Sequence, residues 1–175
     1  LGTPARRLRS ELSHIKKQWC ALAAEDEWAV GEEKDVLDLA HRLLDVTNAM
    51  LEDEVAYLCG RYLQSNEGAD ARQQFALVLA DDFQNLSAAQ QTCLCLLARD
   101  QLIVAGNPDE TVRVATSFPN PEGFATFDTL RRNVTVFALD TAFGNPNVTA
   151  FCDAVARAGS EEALVAAHRE GTIRD

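Results

Sequence analysis

The sequence predicts an all-α fold: a bundle of about six to eight helices, two long N-terminal ones followed by shorter helical hairpins. Three observations carry this reading. Apolar residues recur at steps of three and four along most of the chain. The gaps between those runs hold the Ser, Asn, Pro and Gly combinations that start and stop helices. A chain of 175 residues that is 47% hydrophobic and 25% charged has the make-up of one packed domain.

The first helix starts behind Thr3, which caps it, with Pro4 at the first position, where a missing N–H costs nothing. Leu8, Leu12, Ile15, Trp19 and Leu22 then mark one face. The segment AEDEWAVGEE ends this helix around Gly31. A second helix from Gly31 to Gln64, if unbroken, spans about 50 Å. Leu37, Leu44, Leu51, Val55, Leu58 and Tyr62 lie along its main stripe with His41 and Asn48 between them, and Val36, Ala40, Leu43 and Met50 widen the apolar arc. Thr47 and Asn48 are weak helix formers and favour a bend there.

SNEGAD (65–70) is a loop and a candidate division into two subdomains within one domain. A third helix is expected over about 69–84, carrying Phe75, Val78, Leu79 and Phe83. The fourth starts at Ser87, where Ser87 and Gln90 form a capping box, and runs to Gly106, a residue suited to the left-handed position after a helix. In GNPDE (106–110) Asn107 caps a new helix and Pro108 enters its first turn. SFPNPEG (117–123) excludes helix. Phe124, Phe127, Leu130, Val134 and Phe137 resume helical spacing, while NVTVFAL (133–139) also suits a buried strand. GNPNVT (144–149) repeats the stop and restart with Asn145 as cap, and a last short helix covers about 160–170.

The sharpest chemical question is the pair Cys93-Leu-Cys95. Two residues on a helix are separated by about 200°, so these thiols face opposite sides and share neither a metal nor a disulfide. Their helix is apolar on most sides, which makes both cysteines core. Cys20, Cys59 and Cys152 are isolated, and no Cys-x-x-Cys, phosphate loop, dinucleotide fingerprint or His-Glu-x-x-His occurs. No metal and no cofactor are expected. Five cysteines, an odd number, argue against a secreted disulfide framework and for a reducing, cytoplasmic setting. If the chain is an enzyme, Cys152 with Asp153 and His168 is the first place to look, since a cysteine nucleophile needs a base beside it.

A net charge of -11 excludes nucleic acid as the main partner, because phosphate recognition needs a basic face. No stretch reaches the roughly 20 apolar residues of a membrane span. The charge is unevenly placed. Arg6, Arg7, Arg9, Lys16 and Lys17 against Glu11 leave the first seventeen residues at +4, so the remainder carries -15. Arg6, Arg7 and Arg9, and the acidic run Glu52, Asp53 and Glu54, are the candidate partner-binding residues. The start at Leu-Gly-Thr-Pro reads as a piece of a longer protein.

Two function classes stay open. One is a non-catalytic protein–protein interaction or regulatory domain of a larger protein. The other is an enzyme with an unfamiliar site. Its most specific form is a ubiquitin-transfer (E3 ligase-like) or other transferase domain of a bacterial or viral effector delivered into a host cell, suggested by the absence of lysine after Lys34.

Overall fold

The computed structural model describes residues 4–112 and 118–139. The chain divides into two compact units, Leu1–Val134 and Thr135–Asp175. In the second, the described residues 135–139 form neither helix nor strand, and the GNPNVT turn, the last helix, Cys152, Asp153 and His168 lie outside the described residues.

The first unit begins with α1 (Pro4–Cys20), followed by the short α2 (Glu25–Trp28), α3 (Glu32–Thr47) and α4 (Glu52–Gln64). Gly31 precedes α3 at φ 57°, a conformation that a residue without Cβ adopts freely. The helix foreseen as continuous from Gly31 to Gln64 is broken at Asn48. That residue is left-handed (φ 49°, ψ 45°), and the Ala49 N–H reaches back to the Leu44 carbonyl. Asn tolerates this geometry better than other side chains, so the weak helix formers produce a stop where only a bend was expected. At the far end of α4, the Arg72 guanidinium donates to the carbonyls of Leu63, Gln64 and Ser65, groups that a helix C-terminus leaves without partners.

The expectation of an all-α fold is overturned by the next segment. Phe75–Ala80 is a strand, β1, and Ala98–Val104 is a second, β2. They pair in parallel, with Leu77 opposite Gln101 and Leu79 opposite Ile103, and α5 (Ala88–Leu97) lies in the connection between them. The fold is therefore mixed α/β, with seven α-helices and a two-stranded parallel sheet among the described residues. The third predicted helix fails because FALVLA is a short continuous apolar run. Phe75, Val78 and Leu79 fit a helix, but Phe75, Leu77 and Leu79 fit a strand equally well. The fourth predicted helix starts as expected and ends early, since its last seven residues gain more from pairing with β1 than from another two turns of helix.

α5 starts at Ser87. The Ser87 hydroxyl accepts from the Gln90 N–H (3.3 Å) and the Gln90 side chain accepts from the Ser87 N–H (2.9 Å), the capping box read in the sequence. Ser87→Ala should cost about 1 kcal/mol, measurable as a lowered urea midpoint with unchanged slope. After β2, a 3₁₀ turn at Pro108–Glu110 takes the place of the helix expected behind Asn107. The unit closes with two single-turn helices, α6 (Glu122–Ala125) and α7 (Phe127–Leu130).

Two apolar centres hold these elements. Ile15, Trp19, Leu37 and Tyr57 join α1, α3 and α4, with Leu12, Leu22, Trp28, Val36 and Leu51 packed around them. Phe83 is fully buried and meets the edges of Phe124 (5.8 Å) and Phe127 (5.6 Å), tying the connection before α5 to α6 and α7. α5 stands between α4 on one side and the strands on the other. Gly60 leaves room for the Leu22 side chain, since a Cβ there would lie 2.8 Å from Leu22, while the Cys93 sulfur of α5 would be in ordinary contact at 3.6 Å.

Candidate functional site

The unusual feature of the first unit is a helix that is apolar on two opposite sides. On α3, Leu37 is buried in the core, His41 stacks on Trp19, and Leu44 on the same side is half-buried. Leu39, Leu43 and Val46 sit two residues further along at each step, so they face about 200° away. All three are exposed, Leu43 to 62% and Val46 to 86%. Beyond the break Met50 is exposed too. α4 repeats the arrangement. Glu54, Tyr57, Gly60 and Leu63 turn inward, while Val55, Leu58 and Tyr62 stay exposed at steps of three and four. Exposed apolar residues scattered singly are ordinary, whereas stripes at helical spacing on two consecutive helices are not.

The stripe on α3 has a charged flank. Asp35, Asp38 and Asp45 are exposed along one side of it, together with Lys34 and with Arg42, whose Nε donates to the Asp38 carbonyl (3.1 Å). Across residues 32–62 there are eight carboxylates against three cationic side chains, so the whole α3–α4 segment is acidic.

A second uncovered apolar surface lies on the sheet. Val78, Ala80, Leu102 and Val104 share its half-buried face, while Phe75, Leu77, Leu79 and Ile103 are exposed on the other. Parallel strands are ordinarily covered on both faces.

The residues singled out by charge are distributed differently from their order in the sequence. Arg6 and Arg9 are exposed, and Arg7 pairs with Glu32 across α1 and α3. The run Glu52-Asp53-Glu54 is split three ways. Glu52 is exposed, Asp53 pairs with Lys16 (3.0 Å), and Glu54 is buried with its carboxylate accepting from the Leu51 N–H (3.1 Å) at the start of α4. Sequence reading missed Leu39 and placed Leu43, Val55, Leu58 and Tyr62 on the core arc, because it treated 31–64 as one helix with one apolar side. Leu39, Leu43 and Val46 did carry a signal: their spacing of four and three parallels that of Leu37, His41 and Leu44.

The described cysteines are all free, and Cys93 and Cys95 are both buried, as the packing argument required. Burial pushes the Cys93 thiol up to about 12, with Cys59 beside it, and Cys95 up to about 11, where the charge of Arg131 works in the other direction. Cys20 is also pushed up to about 12, first by burial and then by Asp53, whose Oδ1 accepts from the thiol at 3.4 Å. An open cleft of about 530 Å³ runs past Lys17, Cys20, Phe118, Asn120 and Glu122. A thiol held protonated there is a poor nucleophile. The two described histidines are engaged elsewhere, His14 with Glu33 and Trp28, and His41 with Glu25 and the face of Trp19.

These thiols have a consequence for stability. A folded-state value above the ordinary 9.0 favours the protonated, folded form, so their contribution is complete below pH 9 and is lost as pH rises towards 11–12. The melting temperature should fall steadily between pH 9 and pH 11. Replacing Cys20, Cys93 and Cys95 together with alanine should flatten that decline while lowering stability at neutral pH.

Among the described residues, no group of three or more His, Cys, Asp or Glu side chains is placed to hold a metal ion, and no helix is long and apolar enough to cross a membrane. No protein-family model, curated protein or solved structure matches the chain.

Proposed function

We propose that this chain is a non-catalytic protein–protein interaction domain. The observation that carries the reading is the pair of exposed apolar stripes, Leu39, Leu43 and Val46 on α3 and Val55, Leu58 and Tyr62 on α4. Apolar side chains gain about 25 cal/mol for each Å² removed from water, and a rigid helix presents them at no further ordering cost. Arg6, Arg9 and Glu52, exposed at other points of the same unit, are the candidate charges of the rim. Rim charges of this kind select partners and set association rates more than they add affinity. Four free cysteines with no disulfide among the described residues support a reducing compartment.

The test is a comparison of two folded proteins. The wild-type chain and the variant Leu43→Gln/Val46→Gln are used as baits in cells of the source organism, with quantitative mass spectrometry of what each retains. The reading expects at least one protein held in near-stoichiometric amount by the wild type and reduced about tenfold or more by the variant. Identical retention by both baits, with identical circular dichroism, would remove the α3 stripe as a docking surface.

A further inference from the structure

Resting on that reading, we infer that the exposed stripe of α3 receives an amphipathic helix of a partner protein whose flanks carry lysine or arginine. Three features specify this occupant. Leu39, Leu43 and Val46 advance by four and then three, the spacing at which one helix packs against another by knobs into holes. They stand on a helix of 16 residues whose other side is anchored by the buried Leu37. A partner helix can follow it for several turns, as amphipathic helices do in other grooves.

The third feature is charge. Asp35, Asp38 and Asp45 border the stripe on one side, three carboxylates against the two cations Lys34 and Arg42 on that side of the helix. The segment 32–62 is acidic as a whole, and so is the chain, at -11. A helix flanked by carboxylates would meet like charge along its length, whereas one flanked by ammonium or guanidinium groups would be steered in and held in register. The exposed apolar face of the sheet carries no such one-signed border, since β1 contains no charged residue and Arg99 and Asp100 of β2 pair with each other, and for that reason it specifies no partner.

The inference is tested with two synthetic helices of about 18 residues, long enough for five turns. Both have the same leucine pattern, one with lysine and one with glutamate at the flanking positions. Binding of each, fluorescently labelled, to the full chain is followed by anisotropy at low and high salt. The Leu/Lys peptide should bind about tenfold or more tightly than the Leu/Glu peptide and should weaken as salt rises. Asp38→Lys/Asp45→Lys should reverse the preference. Leu43→Gln/Val46→Gln, which leaves every charge in place, should abolish binding of the Leu/Lys peptide. Circular dichroism and melting temperature confirm that each variant is folded.

Three results would overturn the inference. If Leu/Lys binding survives Leu43→Gln/Val46→Gln, the contact is charge attraction elsewhere, and the docking reading of α3 falls with it. If binding depends on Leu43 and Val46 but not on Asp38 and Asp45, or favours the Leu/Glu peptide, the docking surface stands and the basic partner is wrong. If the chain alone self-associates and the Leu43→Gln/Val46→Gln variant does not, the occupant is a second copy.

Discussion

Trp19→Ala is expected to remove about 4 kcal/mol of stability, a large share of what a domain of this size possesses. Trp19 is fully buried and touches every helix of the N-terminal half. Its ring stacks on His41 of α3 (6.0 Å) and on Tyr57 of α4 (6.2 Å), and its Nε1 donates to the Glu25 carboxylate of α2 (2.9 Å). Truncation therefore opens a cavity where four elements meet and leaves Glu25 without that donor, the His41 ring nitrogen lying 3.6 Å away. Urea denaturation followed by far-ultraviolet circular dichroism measures the loss. Trp19→Phe separates the two effects. It keeps a stacked ring and gives up the hydrogen bond, so a smaller loss of about 1–2 kcal/mol is expected. Leu8→Ala on the same helix is the control. Leu8 is exposed and should change the midpoint by less than about 1 kcal/mol. Equal effects for Trp19→Ala and Leu8→Ala would show that the α1–α3–α4 core is not the one described.

Gln91→Leu should be nearly as costly, about 3 kcal/mol, although it exchanges a polar side chain for an apolar one of similar volume. Gln91 is almost completely buried in α5. Its Nε2 donates to the carbonyls of Phe83 (2.9 Å) and Asn120 (2.8 Å), and its Oε1 accepts from the Asn120 Nδ2 (2.8 Å). One side chain thus satisfies the backbone of the turn before α5 and of the loop before α6. Leucine would leave the buried Phe83 carbonyl and the part-buried Asn120 carbonyl and amide without these partners, which is the expensive direction in which to break a hydrogen bond. Gly123 lies directly against this network, where a Cβ would strike Gln91 Oε1 and come within 2.7 Å of Asn120 Nδ2. Because Gln91 and Asn120 share a bond, Gln91→Leu and Asn120→Ala should be non-additive, the double variant losing clearly less than the sum of the singles. Additive losses would mean that the two residues act independently.

How much of this was legible in the sequence varies from element to element. α1 was legible because its signals are local: proline at the start and a stripe that needs no knowledge of any partner. The Ser87 capping box was legible for the same reason, since both of its hydrogen bonds span three residues. The burial of Cys93 and Cys95 followed from helix geometry alone, once α5 was recognised as apolar on most sides. The outward stripe of α3 was present in the spacing but was absorbed into a single apolar arc. Periodicity shows that a helix has two apolar faces without saying which one the rest of the chain covers.

The sequence by itself determined where α1 and α5 start and that Cys93 and Cys95 pack as small apolar groups. Only the tertiary structure decided the rest, chiefly through contacts between residues far apart in the chain. FALVLA and the end of the fourth predicted helix became strands because each offers the other a hydrogen-bonding partner, a gain that no local propensity records. Asn48 ended α3 in a left-handed conformation, and in the separate α4 that follows Tyr57 and Leu63 are buried while Val55, Leu58 and Tyr62 stay outside. Glu52, Asp53 and Glu54, three like residues in a row, were given three roles by what stands beside them: water, Lys16, and the open N-terminus of α4. A residue's type sets what it can do, and the neighbours brought to it by folding set which of those things it does.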